Sequence, residues 1–227
     1  LLNAQTTEIS LDKAIELSIA NNKRLQSSTN HVDMNKQLEK TAYSMEKTDI
    51  YYSFDQNNIA PNNSPLNVFG VSQTIPFPTV YSSQKRVLKQ QTNLAESQYK
   101  MDEQTVVKET TKAYFAVAHW RDIMNNYTSL DSVYRKFSNA AQRKYETGET
   151  NNLEYLLAQS KSKEISVLLE QSKLNYQNAI VQLNKWIQSE EVYTITSESI
   201  AEAKINALDT TNNVALAYLQ QSVLLSE

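Results

Sequence analysis

Apolar residues recur at intervals of seven from Thr79 to Trp186, a stretch that contains no proline and only one glycine, Gly148. Two interleaved series precede the glycine and two follow it. Such spacing places apolar side chains along one side of a helix and indicates coiled-coil packing. The first two series are Ala113, Trp120, Tyr127, Tyr134 and Ala141, with Ala116, Ile123, Leu130 and Phe137; the other two are Tyr155, Ser162, Leu169, Tyr176 and Leu183, with Ala158, Ile165, Ser172, Ala179 and Trp186.

The segment between these series predicts a reversal of chain direction. Gly148 readily adopts the positive φ of a helix C-cap, and Thr150 or Asn151 can cap the N-terminus of the next helix. We therefore predict an antiparallel helical hairpin with helices over 79–146 and 151–188 and a tip turn over 147–150. The first helix would span roughly 100 Å at about 1.5 Å per residue. A helix of that length is typical of a coiled-coil spacer or of a helix that lines a channel.

The beginning of the chain predicts another helix. Ser10 or Asp12 can cap it, and helical spacing of apolar residues continues to about residue 46. A polar run at 21–24 weakens the middle of this helix, predicted over 10–46, and leaves room for an interruption. We interpret residues 1–9 as the remnant of a leader peptide or of a linker, between which the sequence does not decide.

Two short strands are predicted between the helices, where all four prolines and Gly70 fall. Residues 49–56 and 66–75 alternate between apolar and polar positions on either side of a polar turn over 57–64, as strands with two different environments do. The apolar face of this predicted pair carries Ile50, Tyr52, Phe54, Phe69, Val71 and Ile75.

The strand pattern allows two interpretations. Each run is about as long as a tilted strand that crosses a bilayer core. The apolar face would then meet lipid, while Ser53 and Asp55 would face an aqueous lumen. A soluble β-hairpin attached to a helical bundle fits the same alternation equally well.

The last part of the chain has a weaker pattern. Residues 188–212 are polar, with a predicted short strand over 192–195, and a new helix is predicted from about Asn213. We therefore describe 191–227 as a connection followed by the start of a further helical segment.

Composition narrows the function classes. With 40% apolar and 21% charged residues among 227, the chain is typical of an ordered, helix-rich protein. A net charge of -3 without a basic stripe argues against nucleic-acid binding. The absence of cysteine excludes disulfides and thiolate metal sites within this sequence. The sequence contains no run of 18 apolar residues, so it predicts no transmembrane helix.

Candidate chemistry is sparse. His31 and His119 are the only histidines, and we interpret each as a helix-surface residue rather than a general base. A metal site at His31, Asp33 and Met34 would have too few ligands. The sequence therefore predicts no enzyme, no cofactor and no metal site.

Four segments together resemble the TolC-like outer membrane efflux proteins, in particular the heavy-metal and multidrug branch of that family. Each segment alone is common in helices or turns. Together and in this order, the four segments are more specific and span about residues 1–190. They are Ile9–Leu17 followed by Asn21 and Asn22, Val71–Pro78, Lys112–Phe115, and Tyr145–Ala158 with its Gly148.

This resemblance implies a fold that is mainly α with a small β part. Long antiparallel coiled-coil hairpins would accompany a β-hairpin that contributes to a trimeric outer-membrane β-barrel above a periplasmic helical tunnel. Family protomers have two repeats. The chain would hold the first, over 10–190, and the start of the second, so we expect a fragment of a longer chain.

The implied function is that of an outer membrane channel in a tripartite efflux system, a passive conduit for small molecules or metal ions. The implied partners are a periplasmic adaptor, an inner membrane pump, outer membrane lipid and two further copies of the chain. A soluble periplasmic adaptor or scaffold that binds proteins through its hairpin is the alternative. The adaptor would dock on the hairpin tip at Tyr145, Gly148, Thr150, Asn151, Leu153, Glu154 and Leu156. Neither the exported substrate nor the gate can be read from the sequence.

Overall fold

The computed structural model describes residues 7–59, 65–196 and 214–226, with side chains except at 55–59, 65 and 226. The predicted fold class, mainly α with a small β part, is confirmed. The elements in order are β1 (Thr7–Ile9), α1 (Leu11–Asn21), α2 (Lys23–Lys40), a 3-10 turn (Thr41–Tyr43), β2 (Asp49–Ile59), β3 (Pro65–Ser72), α3 (Pro78–Glu146), α4 (Asn152–Ile187), β4 (Tyr193–Ile195) and α5 (Val214–Ser226).

The chain divides into two compact units. One comprises Leu1–Ser27 and Met101–Thr211, and the other comprises Ser28–Lys100 and Asn212–Glu227. Among the described residues, none of the helices combines the length and the apolar character that crossing a membrane as a helix would need.

The predicted helix over 10–46 is interrupted at Asn22. Asn22 leaves the helical region at φ -65° and ψ 115°, and its Oδ1 accepts hydrogen bonds from the backbone N–H groups of Arg24 and Leu25 at 3.0 and 3.3 Å. The residue that ends α1 thus caps α2, which itself ends at Lys40. Asn side chains compete with the helical backbone for hydrogen bonds, and this accounts for the break.

The interpretation of residues 1–9 as a leader or linker remnant was wrong for Thr7–Ile9. These three residues form β1 and pair in parallel with β4, with Ile9 opposite Ile195. Both isoleucines are buried. A strand of three residues has no readable period, and its partner lies at the far end of the hairpin in sequence. Residues 1–6 lie outside the described part.

The core of the first unit lies where β1, β4, α1, α3 and α4 meet. Ala14, Val117, Leu183 and Ile187 are fully buried there. One polar pair lies inside the same unit: the hydroxyl of Thr110 donates to that of Ser18 at 3.0 Å, and Ser18 donates to the backbone oxygen of Ile15. Burial of these hydroxyls is tolerated because each has a hydrogen-bond partner.

The two helices of the hairpin pack along a seam. On α4 the buried residues agree with the predicted series, whereas on α3 the buried face is rotated relative to the predicted one. On α4 the buried residues are Ala158, Ile165, Leu169, Ser172, Ala179, Leu183 and Ile187. On α3, Leu130 and Phe137 were predicted to face the partner helix, but both are exposed, Phe137 by 57%. Asp131 is buried instead, and Ser138 is half-buried.

The second series on α3 therefore lies one residue later than predicted. In a heptad seam, steps of three and four residues alternate. After Tyr134, a step of three residues places Phe137 in the seam and a step of four places Ser138 there, and the apolar pattern alone does not distinguish the two. The structure selects the four-residue step. This choice buries the carboxylate of Asp131 and leaves the large apolar side chains of Leu130 and Phe137 exposed.

The strand pair of the second unit is antiparallel, with Ile50 opposite Val71 and Tyr52 opposite Phe69. Compared with the predicted strands over 49–56 and 66–75, β2 continues to Ile59 and β3 ends at Ser72. Ile75, predicted as a strand residue, lies beyond β3. The amide of Gln73 donates instead to the backbone oxygens of Glu46 and Thr74, and Pro76 has no N–H with which to continue a ladder.

Candidate functional site

The hairpin tip begins with a Schellman motif at the end of α3. Gly148 has φ 75°, and its N–H donates to the backbone oxygen of Tyr145 at 3.0 Å. The N–H of Glu149 donates to that of Lys144 at 2.8 Å. These two bonds satisfy carbonyls that a helix end otherwise leaves without partners, and the left-handed position favours glycine.

The start of α4 is capped by Asn151 rather than by Thr150. Its Oδ1 accepts a hydrogen bond from the N–H of Glu154 at 2.9 Å, as an N-cap residue does. The hydroxyl of Thr150 donates to the carboxylate of Glu154. Three of the predicted tip residues are therefore tied to one another and hold the turn in shape.

An aromatic pair joins the two helices at the tip. The rings of Tyr145 and Tyr155 are stacked with centroids 5.5 Å apart and an interplanar angle of 6°. Tyr145 belongs to the last turn of α3 and Tyr155 to the first turn of α4. Packing of this kind adds about 0.5–1.5 kcal/mol beyond the area that it buries.

The leucines of the tip point away from this framework. Leu153 and Leu156, both predicted for docking, are exposed, Leu153 by 66%. Leu157, which the sequence reasoning missed, is exposed by 61%. The adjacent leucines at 156 and 157 could have indicated this exposure, because two neighbouring helix residues cannot both face the same seam. These leucines contribute little to the hairpin's own packing.

A groove lies between α3 and α4 below the tip. Its apolar lining includes Tyr134, Phe137 and Leu157, and the charged side chains of Lys144, Lys161 and Glu154 border it. The hydrogen bond from Lys161 to Glu164 raises the pKa of Lys161. The groove offers an apolar floor with charged edges. Its residues Phe137 and Leu157 extend the site beyond the predicted set.

A polar cluster crosses the hairpin farther from the tip. The carboxylate of Asp131 accepts a hydrogen bond from the Ser166 hydroxyl at 2.6 Å and pairs with the guanidinium of Arg135 at 2.7 Å. Ser166 also accepts from Arg135 at 3.3 Å. Because a buried polar group can be satisfied only by partners in particular positions, this cluster specifies how the two helices align.

The strand pair exposes the apolar face that the sequence predicted. Ile50 is exposed by 82% and Phe69 by 81%. The rings of Tyr52 and Phe69 are 4.7 Å apart across the strands, and the Tyr52 hydroxyl donates to the side-chain oxygen of Asn67 at 2.7 Å. Phe54 and Val71 are also exposed, as is Ile75 beyond the strand. Contiguous exposed apolar surface marks an interaction or membrane site.

The other face of the pair is held by one aromatic residue. Tyr51 lies opposite Gly70, and its ring occupies the place where a Cβ at position 70 would stand. A ring that covers a strand glycine compensates for the missing side chain. Ser53 is exposed on this face, whereas the side chain of Asp55 lies outside the described set.

The structure offers no assembled metal site among its described residues, because no three or more His, Asp or Glu side chains converge there. His31 and Asn35 line a shallow depression with Tyr218 in the second unit. His119 packs edge-on against Trp120. Among the described residues, the hairpin tip and the strand pair both expose apolar side chains.

Comparison with known proteins identifies the family to which the chain belongs. A family model described as outer membrane efflux protein matches residues 27–187, more than half of the chain. No curated protein matches the chain. Solved structures share its fold at low sequence identity.

Three of these structures illustrate the likeness. A structure of CusC, determined in relation to its folding and transmembrane channel formation, superposes with a TM-score of 0.79 at 13% identity, and the match covers 100% of this chain and 57% of the CusC chain. The Campylobacter jejuni CmeC outer membrane channel gives 0.75 at 16%, covering 99% and 56%. The outer membrane protein VceC from Vibrio cholerae gives 0.70 at 11%, covering 95% and 56%. The chain thus spans about half the length of these proteins.

Proposed function

Because the chain belongs to the outer membrane efflux protein family, we propose that it is part of an outer membrane channel. The channel acts as a passive conduit through which a tripartite efflux system exports small molecules or metal ions. Its long helices line a tunnel in the periplasm, and its strand pair lies in the outer membrane. The similarity to CmeC, an outer membrane channel, and to CusC, which forms a transmembrane channel, supports this role.

The observation that carries the proposal is the uncovered apolar face of the strand pair. A soluble hairpin of this length would bury one apolar face against a helix, yet the side chains of Ile50, Phe69 and Val71 are exposed. In lipid, this apolar face would carry no free-energy penalty of exposure to water. This observation favours the channel over the soluble adaptor or scaffold, for which the strands would be an unexplained attachment.

A second proposal concerns the hairpin tip. We propose that the tip docks the helical hairpin of a periplasmic adaptor, which links the channel to an inner membrane pump. The exposed Leu153, Leu156 and Leu157 provide the apolar contact, while Gly148 allows the tight turn that presents them. The charged border of the neighbouring groove, formed by Lys144, Lys161 and Glu154, provides polar contacts at the rim, as protein interfaces commonly have.

The proposed assembly is a homotrimer. One copy of the chain contributes two strands, and two strands alone are marginally stable. Several copies, each with its second half, would close the strands into a barrel. The exposed Leu130 and Val133 of α3 are suited to packing against neighbouring helices in such an assembly.

Membrane fractionation of the complete native chain, followed by measurement of its oligomeric mass in detergent, tests the proposed function. We expect a trimer in the outer membrane fraction. A soluble monomer would overturn the channel proposal, and the strand pair would then be an attachment on an adaptor or scaffold. The trimer should form without added adaptor, since contacts between copies of the chain close it.

A further inference from the structure

We propose that the chain has a binding site for anionic lipid headgroups at the junction between its strand pair and its helices. This inference rests on the proposed function, because it requires the strand pair to lie in the outer membrane. The site, which we name the collar, consists of Tyr43, Phe77, Tyr81, Lys85 and Lys89. All five residues belong to the second compact unit.

The collar follows from residue spacing at the beginning of α3. Tyr81, Lys85 and Lys89 are four residues apart and therefore lie along one side of α3, and Phe77 directly precedes this helix. The backbone oxygen of Phe77 accepts a hydrogen bond from the N–H of Val80, as the residue that precedes a helix does, so Phe77 adjoins the first turn of α3. Along this side, aromatic residues come first, nearest the strands, and cations follow.

This order matches the chemistry of a membrane boundary. Aromatic rings with polar tips settle at the level of the headgroups, and lysines extend their amines into the phosphate layer while their stems lie against apolar surface. Tyr81 and Lys85 lie about 5 and 10 Å along the helix from its first residue. A headgroup layer is roughly 5–8 Å thick on each side of the core. The two side chains can therefore reach it.

Tyr43 contributes to the collar from the other connection to the strands. Its ring stacks on that of Tyr81, with centroids 6.2 Å apart and an interplanar angle of 25°. The Nζ atom of Lys85 lies 5.6 Å from the centre of the Tyr43 ring, within cation–π range. These contacts hold the ammonium group beside the Tyr43 ring, which itself stacks on Tyr81. Tyr43 itself is exposed, as is Phe77 by 72%, so neither contributes much to the core.

The local charge selects an anionic partner. The sequence from 56 to 95 contains Lys85, Arg86 and Lys89 and no acidic residue. Arg86 is directed to a different surface, where it lines a depression with Leu224 and Leu225. Neither Lys85 nor Lys89 forms an ion pair with a described carboxylate. The Lys85 amine beside the exposed Tyr43 ring, with Lys89 one helical turn further along, fits a lipid phosphate.

The opposing charges are few. Glu46 and Asp49 lie near the same connection, together with Lys47, and all three are exposed. Counting 43–49 and 56–95 together, four cations face two carboxylates, for a net charge of 4 - 2 = +2. A uniformly apolar partner would leave both lysines without counter-ions. The combination of apolar strands, aromatic rings and then cations therefore favours a lipid surface over a protein partner.

Titration of the purified, delipidated full-length chain with single lipids tests the collar. Native mass spectrometry would count bound phosphatidylglycerol and phosphatidylcholine for the wild type and for the double variant Lys85→Gln, Lys89→Gln. A basic side chain near an anionic membrane surface is worth about 1 kcal/mol, or roughly a fivefold change in affinity. We expect the wild type to prefer phosphatidylglycerol and the double variant to lose affinity for it by about tenfold or more.

Matched variants separate the collar from general charge effects. The double variant Lys108→Gln, Lys136→Gln removes the same charge from exposed positions elsewhere on α3 and should retain the preference. Lys85→Arg should retain it as well, and Tyr43→Phe should differ little from wild type because the ring remains. Inorganic phosphate at millimolar concentration should not displace the lipid, because the aromatic contacts require acyl chains beside the headgroup.

The outcomes distinguish this inference from the proposed function. A wild-type chain found in the membrane that binds both lipids equally would overturn the collar alone. So would unchanged phosphatidylglycerol binding in the Lys85→Gln, Lys89→Gln variant, or displacement of the lipid by phosphate. A wild-type chain found only in the soluble fraction would overturn the proposed function, and the collar with it.

Discussion

Tyr145 and Tyr155 stack almost parallel across the hairpin tip, with ring centroids 5.5 Å apart. One ring closes α3 and the other opens α4, so the pair joins the two helices beside the turn. Leu153 and Leu156 point to solvent at the same tip. Tip stability and the proposed adaptor recognition therefore involve different side chains, and substitutions should separate the two.

The first prediction compares these two groups. Tyr155→Ala should lower the free energy of unfolding of the purified chain by about 1 kcal/mol, since it removes an aromatic pair. Leu153→Ser with Leu156→Ser should leave thermal unfolding nearly unchanged but weaken adaptor binding by tenfold or more, as exposed apolar contacts matter only in the complex. Calorimetry and adaptor titration measure the two effects. Equal adaptor affinity in the leucine variant would contradict the docking proposal.

The second prediction concerns Gly148. Proline fixes φ near -65° and has no N–H, whereas Gly148 requires φ 75° and donates to Tyr145. Gly148→Pro should therefore distort the tip and abolish pump-dependent resistance. Gly148→Ala should cost only about 1–2 kcal/mol of stability, because no atom lies within 4 Å of the added methyl group. Resistance that is unchanged by the proline variant, at equal membrane abundance, would rule out the tip as the docking site.

The third prediction tests the orientation of the strand pair. Tyr52→Arg places a charge on the exposed apolar face and should cost about 2–4 kcal/mol if that face lies near the bilayer midplane. The variant should fail to accumulate in the outer membrane as a heat-resistant oligomer. Ser53→Arg, one residue away on the opposite face, is the control and should assemble. Equal assembly of both variants would mean that the Tyr52 face does not meet lipid.

The fourth prediction concerns the polar cluster of the hairpin. Asp131→Ala removes the buried acceptor of the Ser166 and Arg135 hydrogen bonds and should cost about 1–3 kcal/mol. Asp131→Leu should be less destabilising, because an apolar residue at a seam position replaces a buried charge. Urea unfolding measures both effects. Asp122→Ala, at an exposed position of the same helix, should change stability by less than about 0.5 kcal/mol.

The pattern of apolar positions was sufficient for the main helices because helical period, proline placement and cap residues are local properties. Gly148 and Asn151 could be identified from the sequence for this reason, as their roles depend on neighbours within a few residues. The alternation at 49–56 also predicted which strand residues share a face. The docking and membrane roles of these residues are still predictions.

Other features could not be predicted because their causes are distant in sequence. β1 exists only through its pairing with β4. The exposure of Phe137 and burial of Asp131 depend on whether Ser166 and Arg135 are in place to satisfy the carboxylate. The collar depends on Tyr43 meeting Tyr81 from a separate connection.

By itself, then, the sequence determined the element types, their order, the position of the hairpin tip and the apolar face of the strands. Backbone geometry and side-chain periodicity act over a few residues and leave a direct record in the chain. Only the tertiary structure decided the rotation of α3 in its seam, the strand formed by Thr7–Ile9 and the assembly of the collar. Each of these depends on burial and on hydrogen-bond partners that folding brings together from distant positions.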